Sequence, residues 1–84
     1  MVTDKKGEAA VAEIEHWANR IARMTDEKVQ ASVYHDGDSN TYVLRLARAS
    51  RVLLFRLSEA QVQTPEREEE CEKILKRKIK DLSS

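Results

Sequence analysis

The densest apolar stretch of the chain runs from Thr41 to Leu57, TYVLRLARASRVLLFRL, and contains no acidic residue. Its apolar residues recur at every second position, which is the spacing of a strand whose side chains alternate between two faces. A helix would leave no continuous apolar stripe, because Leu44, Val52 and Phe55 would lie among the arginines. The stretch therefore predicts a β-hairpin that turns at Ala49 and Ser50.

The position of this turn determines which residues of the two strands stand opposite each other. One face then carries three apolar pairs, Leu46 with Leu53, Leu44 with Phe55 and Tyr42 with Leu57. The other face is mixed, with Ala47 opposite Val52, Arg45 opposite Leu54 and Val43 opposite Arg56. Ala-Ser lacks the Gly or Asn that two-residue turns favour and sets Arg48 against Arg51, so a four-residue loop over 48–51 with the same pairing stays open.

A third strand is predicted before the hairpin. From Lys28 to His35, Val29, Ala31 and Val33 alternate with polar residues and Tyr34, as in a strand with one buried face. The following loop, HDGDSN, has carboxylates spaced like the first ligands of a calcium loop, but the glycine and glutamate that should follow are absent. Turn chemistry of Asp, Gly and Asn accounts for this loop, and no metal site is predicted.

Residues 8–24 have the three- and four-residue apolar spacing of an amphipathic helix. Its stripe consists of Val11, Ile14, Trp17, Ala18, Ile21 and Met24, and we expect Trp17 to anchor the core. Residues 1–7 precede the pattern and are expected to be disordered.

The C-terminal part of the chain contains two helix starts. Ser58 with Gln61 three residues later is a capping-box pattern, which predicts a short helical turn. Thr64 and Pro65 interrupt that turn and start a new helix, with Thr64 as its cap. The apolar stripe of this last helix consists of Cys71, Ile74, Leu75, Ile79 and Leu82. Its glutamates precede its lysines, an order that complements the helix dipole.

Length and composition limit what the chain does. Its 84 residues form one domain, with no room for a second. The formal net charge is zero, so the whole molecule has no general attraction for nucleic acid or an anionic membrane. No apolar run is long enough to span a membrane, and no secretory signal is recognised, so a cytoplasmic location is expected. The single cysteine, Cys71, fits a reducing compartment.

No residue set in the sequence specifies a reaction. The only cysteine lies on the apolar stripe of the last helix, where burial disfavours a reactive thiolate. Two glycines, Gly7 and Gly37, cannot build a glycine-rich phosphate loop. We therefore expect neither catalysis nor a cofactor.

The predicted fold is α+β with the order α-β-β-β-α, in which two helices pack on one face of a three-stranded antiparallel sheet. The opposite sheet face is left free and combines apolar with basic residues, which is typical of protein interfaces. We expect this face to bind a protein partner or a second copy of the chain, through Tyr34, Val43, Arg45, Val52, Leu54 and Arg56. An ordinary solvated face, with arginine stems lying over the aliphatic residues, is the simpler alternative.

Nucleic-acid binding is a second functional hypothesis, with phosphate contacts from Arg45, Arg48, Arg51 and Arg56 and base stacking on Tyr34. The element order resembles that of double-stranded RNA-binding domains and of dimeric bacterial nucleoid proteins, in order and length but not in motif. The RNA-binding family carries lysines at the start of its last helix. This chain has Glu66, Glu68, Glu69 and Glu70 there, so no binding residue is transferred.

Overall fold

A computed structural model describes all 84 residues of the chain. Three helices and three strands follow one another as α1 (Glu8–Thr25), β1 (Gln30–Asp36), β2 (Thr41–Arg48), β3 (Arg51–Ser58), α2 (Glu59–Gln63) and α3 (Glu68–Ser83). A 3₁₀ turn, Pro65–Arg67, leads from α2 into α3. The strands form one antiparallel sheet in the order β1-β2-β3, so both β1 and β3 are edge strands. The predicted α+β fold is confirmed.

The register of the hairpin is the predicted one. Leu44 stands opposite Phe55, and Arg45 stands opposite Leu54. The strands reach Arg48 and Arg51, so the connection is the two-residue turn over Ala49 and Ser50. Ala49 has a φ of 55°, while Ser50 is not among the residues with positive φ. This sign pattern is that of a type II′ turn, in which an alanine occupies the position that glycine normally takes.

The core lies between the helices and one face of the sheet. The helices contribute Ala10, Ile14, Trp17, Ala18, Ile21 and Ala22 from α1, and Cys71, Leu75, Ile79 and Leu82 from α3. The sheet contributes Ala31 and Val33 from β1, Tyr42, Leu44 and Leu46 from β2, and Phe55 and Leu57 from β3. All these sheet residues lie on the same face, because paired residues share a face and side chains alternate along each strand. The helices therefore cover one face only. Trp17 is a core residue, as expected.

Two local predictions about the helices differ from the structure, and a third agrees with it. Met24 is 72% exposed, because the buried stripe of α1 ends at Ala22 and Met24 lies beyond it in the last turn. Thr64 does not cap the last helix; its hydroxyl donates to the Ala60 carbonyl and closes α2 instead. The capping box of Ser58 and Gln61 is present, with hydrogen bonds of 2.8 and 3.1 Å.

Residues of the segment 1–7, which precedes α1, contact the rest of the domain. The backbone N–H groups of Val2 and Thr3 donate to the Val62 carbonyl, at 2.8 and 3.2 Å. Thr3 is 3% exposed, and the Gly7 N–H donates to the Tyr42 hydroxyl at 2.9 Å. The physical reason is that the last carbonyls of a helix have no partner within it, and the N-terminal segment supplies donors to the end of α2.

Replacing Ala49 by glycine is expected to stabilise the protein. A left-handed conformation costs an L-residue about 1–2 kcal/mol, whereas glycine loses about 0.5–1 kcal/mol more backbone entropy on folding. We expect Ala49→Gly to raise the free energy of unfolding by about 0.5 kcal/mol, or the melting temperature by about 2–4 °C. The control is Ser50→Gly, which lacks the positive φ and should destabilise. Thermal unfolding that ranks the two variants in the reverse order would contradict the turn geometry.

Candidate protein-association surface

The sheet face away from the helices is here called the open face. Each strand contributes four residues: Gln30, Ser32, Tyr34 and Asp36 from β1, Thr41, Val43, Arg45 and Ala47 from β2, and Val52, Leu54, Arg56 and Ser58 from β3. In the register, Tyr34, Val43 and Arg56 form one row across the sheet, and Ser32, Arg45 and Leu54 form the next. The six residues expected to form a binding face therefore do lie on one face, in adjacent rows.

Five large hydrophobic residues of the chain are exposed, and three of them belong to the open face. Tyr34 is 54% exposed, Val52 is 49% exposed and Leu54 is 58% exposed. The other two are Met1 and Met24, near the chain terminus and the end of α1. Val52 and Leu54 follow each other on the same side of edge strand β3, so the open face carries an apolar strip along that edge.

Val43 is the one predicted binding residue that is not accessible. It is 2% exposed although it lies outside the main core. Its neighbours in the row are Tyr34 and Arg56, whose long side chains flank it on both sides of the central strand. Long side chains with apolar stems cover small apolar residues in this way. Val43 therefore lies beneath these side chains and is not available to contact a partner.

Arg56 is tied to the loop between β1 and β2. Its Nη1 donates to Asp36 Oδ2 at 2.9 Å and to Thr41 Oγ1 at 2.9 Å. The same carboxylate accepts the Asp38 N–H through its other oxygen, at 3.1 Å. The Arg56 guanidinium lowers the pKa of Asp36, and the hydrogen bond from Ser39 adds to this effect. The Arg56 charge is thus partly neutralised, whereas Arg45 is exposed and makes no ion pair.

The other two arginines of the hairpin lie on the helix side of the sheet. Arg48 Nε donates to Asp26 Oδ2 at 2.8 Å, at the C-terminal end of α1. Arg51 Nη1 donates to the carbonyl oxygen of Ser84, at the end of α3. The four arginines proposed as phosphate contacts are therefore divided between two faces, and the structure does not bring them together.

The outer edge of β1 is closed by side chains of α1. Asn19 Nδ2 donates to the Ala31 carbonyl at 2.9 Å, and Asn19 Oδ1 accepts the Ala31 N–H at 2.9 Å. Glu15 Oε2 accepts the Val33 N–H at 3.1 Å. An amide and a carboxylate thus take the place of a neighbouring strand. The sequence reasoning missed this cap, although an asparagine inside an alanine-rich helix has poor helix propensity and was the available signal.

The outer edge of β3 has no such cap. The backbone N–H groups of Ala31 and Val33 point away from β2. In an antiparallel sheet the direction of the backbone groups alternates along each strand, so in this register the backbone groups of Leu53, Phe55 and Leu57 point towards β2. The backbone N–H and C=O groups of Val52, Leu54 and Arg56 then point outwards. No side chain or loop of the chain hydrogen-bonds to them. Only the next outward amide, that of Ser58, is satisfied, by Gln61 Oε1 at 2.8 Å.

Cys71 and His35, which lie outside the open face, are held in contacts within the fold. Cys71 is fully buried, its thiol contacts the Gln61 carbonyl at 3.4 Å, and burial raises the pKa of that thiol. The His35 and Tyr42 rings lie 5.1 Å apart. No three His, Cys, Asp or Glu side chains are grouped as metal ligands would be.

The largest surface depression, about 500 Å³, lies on α3 and is lined by Glu66, Glu69, Glu70, Lys73, Ile74 and Arg77.

Comparisons with protein-family models, with curated proteins and with solved structures find no match to this chain. None of the helices has the length and apolar character needed to cross a membrane.

Replacing Asn19 by alanine is expected to open the β1 edge. The substitution removes both partners of the buried Ala31 backbone, and an unsatisfied buried group costs about 1–3 kcal/mol. Alanine has the better helix propensity, so we expect a net loss of about 1–2 kcal/mol in the free energy of unfolding. Hydrogen exchange at the Ala31 amide should accelerate beyond the global change. Arg20→Ala, on the exposed side of α1, is the control; equal effects of both variants would contradict the capping role.

Asp26 is expected to contribute to stability in an acid-sensitive way. Hydrogen bonds from Ser83 Oγ at 2.6 Å and from the Lys28 N–H at 3.0 Å, together with Arg48, lower the pKa of Asp26 to about 2. Because the folded pKa lies below the ordinary 3.8, this stabilisation is complete above about pH 4 and is lost as the pH falls towards 2.

Denaturant titrations of Asp26→Asn between about pH 2 and 6 provide the test. The variant should be less stable at pH 6 and should show a flatter dependence of stability on pH below 4. Asp81→Asn, which removes an exposed carboxylate that has no ion pair, is the matched control. An acid profile of Asp26→Asn that follows the wild type would refute the role of this carboxylate.

Proposed function

We propose that this protein acts without catalysis, by associating with another protein chain through the open face and the adjoining edge of β3. The observation that carries the proposal is the position of Tyr34, Val52 and Leu54. They are the large hydrophobic residues exposed within the folded sheet, and all three lie on the face that no helix covers. Exposed apolar residues that share one face mark interaction sites more often than scattered ones do.

The composition of the open face supports association with protein. Tyrosine and arginine are enriched at the centres of protein interfaces, where a rigid ring and a planar guanidinium bury much area. Arg45 stands in the central strand next to Leu54, is exposed and has no ion-pair partner. Its guanidinium is free to bind an acidic or carbonyl group of a partner, while Tyr34 and Leu54 supply apolar area on the same face, in the two strands that flank the central one.

Nucleic-acid binding is less well supported by the same geometry. It requires several cations on one surface, because each phosphate contact contributes separately to affinity. On the open face only Arg45 is unpaired, since Arg56 contacts Asp36, and Arg48 and Arg51 lie on the other side of the sheet. One free arginine and one tyrosine favour a protein partner over a polyanion.

Site-specific photo-crosslinking tests the proposal. A photoreactive amino acid at position 54 in the full chain, irradiated in cells that produce the protein, should give a discrete covalent adduct. Position 24 is the matched control, because Met24 is equally apolar and even more exposed but lies at the end of α1, off the open face. Adding Arg45→Glu should reduce the adduct at position 54 at least about tenfold, which corresponds to the loss of one good charged interface contact.

The chemistry of the adduct separates the alternatives. An adduct that protease removes and nuclease does not, formed at position 54 and not at position 24, supports the proposal. A nuclease-sensitive adduct would replace it by nucleic-acid binding. Absence of any adduct at position 54, or equal adducts at both positions, would show that the open face is an ordinary solvated surface.

A further inference from the structure

We infer that the partner is a second copy of this chain, and that the two copies pair their β3 strands antiparallel to form one continuous sheet across a two-fold axis. The inference rests on the proposed function, because it names the partner of the same surface. It starts from the difference between the two sheet edges. The β1 edge is closed by Asn19 and Glu15, whereas the β3 edge presents unpaired backbone groups.

An uncapped edge strand is a template for another strand. Most proteins blunt such edges with charged side chains, proline, a bulge or a covering element. In β3 the charged residues are Arg51 and Arg56, whereas the four residues between them are valine, two leucines and phenylalanine, without proline or a bulge. On β1 the same chain uses two helix side chains for this purpose. Because the β1 edge is capped and the β3 edge is not, we expect β3 to pair with a strand of a partner.

The unpaired groups of β3 are arranged symmetrically, which favours a second copy. The outward residues are Val52, Leu54 and Arg56, with Leu54 in the middle. A two-fold axis at Leu54 sets Leu54 opposite its own counterpart and Val52 opposite Arg56, and each pair exchanges both backbone hydrogen bonds. This register uses every free group and does not require the Ser58 N–H, which is already bonded to Gln61.

Side chains flank this edge on both faces of the sheet. Val52 and Leu54 lie on the open face, and Leu53 lies on the helix side, partly exposed. Ile74 of α3 is also partly exposed. Ile74 is nine residues before Ser83, so the two side chains point in opposite directions from the axis of α3. Ser83 contacts Asp26 at the end of α1. Ile74 therefore faces away from α1, towards the β3 side.

Pairing in this register brings apolar residues together across the new strand boundary. Leu54 meets Leu54 on the open face, and Leu53 meets Phe55 on the helix side. Stable interfaces bury about 1,200 Å² or more in total, so side chains on both faces of the sheet must pack in addition to the paired strands. The surfaces above and below the edge supply those side chains.

Electrostatics does not oppose this dimer. The formal net charge of the chain is zero, so two copies do not repel each other as whole molecules. In the register centred on Leu54, no arginine stands opposite another arginine on the same face. The Arg51 hydrogen bond to Ser84 places the end of α3 beside the start of β3. The Cys71 contact with Gln61 places the start of α3 near α2, which follows the end of β3, so α3 runs antiparallel to β3. The two-fold axis then sets the two α3 helices antiparallel, which is the favourable orientation of their dipoles.

Sedimentation equilibrium of the full chain tests the inference with three variants. Leu54→Pro removes an N–H that has no partner within the chain, and an edge strand tolerates proline at such a position. Leu54→Val keeps the N–H and an apolar side chain, and Met24→Ser removes an exposed apolar side chain at the end of α1, off the open face. We expect a wild-type dimer and a dimer dissociation constant raised at least about tenfold in Leu54→Pro, with much smaller changes in the other two.

Hydrogen exchange provides a second readout that needs no variant. In the wild type, the amides of Val52, Leu54 and Arg56 should exchange rapidly in dilute solution and more slowly at concentrations where the dimer forms. The Ala31 and Val33 amides, which are bonded to Asn19 and Glu15 in every copy, should not depend on concentration. Circular dichroism checks that Leu54→Pro is folded, and concentration-independent exchange at β3 would overturn the inference even if that variant fails to fold.

The outcomes separate this inference from the proposed function. A monomeric wild type at high micromolar concentration overturns self-pairing, while a protein adduct of another mass at position 54 would leave association intact. A dimer that persists in folded Leu54→Pro would indicate another contact, such as stacking of open faces, and would also overturn edge pairing. Loss of the dimer in Leu54→Pro alone, with concentration-dependent protection at β3, supports it.

Discussion

The antiparallel pairing of β2 with β3 is the constraint on which the remaining structure depends. In this register one parity of the hairpin is apolar, and α1 and α3 bury it almost completely. Because successive side chains of a strand point to opposite faces, the other set of hairpin residues lies on the opposite face, which no helix covers. A one-residue slip would exchange the two sets and turn Arg45 and Arg56 towards the core, so the energetic demand of the core also determines which residues remain on the open face.

A sheet that is covered on one face still has two edges with unpaired backbone groups. In this chain α1 lies along β1 and supplies Asn19 and Glu15 as hydrogen-bond partners, which removes one edge at the expense of an asparagine in a helix interior. On the β3 side, Gln61 of α2 reaches only the Ser58 N–H at the end of the strand, and no helix side chain bonds the outward backbone groups of residues 52, 54 and 56. The two edges therefore differ because of how the helices cross the sheet, not because of strand composition.

Several elements follow from the sequence because local patterns determine them. The hairpin register followed from alternating apolar residues, and the start of α2 followed from Ser58 and Gln61, which bond each other across three residues. What the sequence does not show are contacts between distant segments. The bond from Arg48 to Asp26, the docking of residues 2–3 on Val62 and the burial of Val43 each depend on the relative positions of elements that no periodicity encodes.

These distant contacts also change the chemical character of the open face. From sequence the hairpin carries four positive charges without an acidic residue, which favours a polyanion. In the fold, Asp26, Asp36 and the end of α3 take up three of the arginines, and Arg45 alone stays unpaired. The accessible remainder is an apolar strip beside one cation and an unpaired backbone edge. Such a surface gains more from contact with a polypeptide, which offers both apolar area and backbone donors and acceptors, than from phosphates.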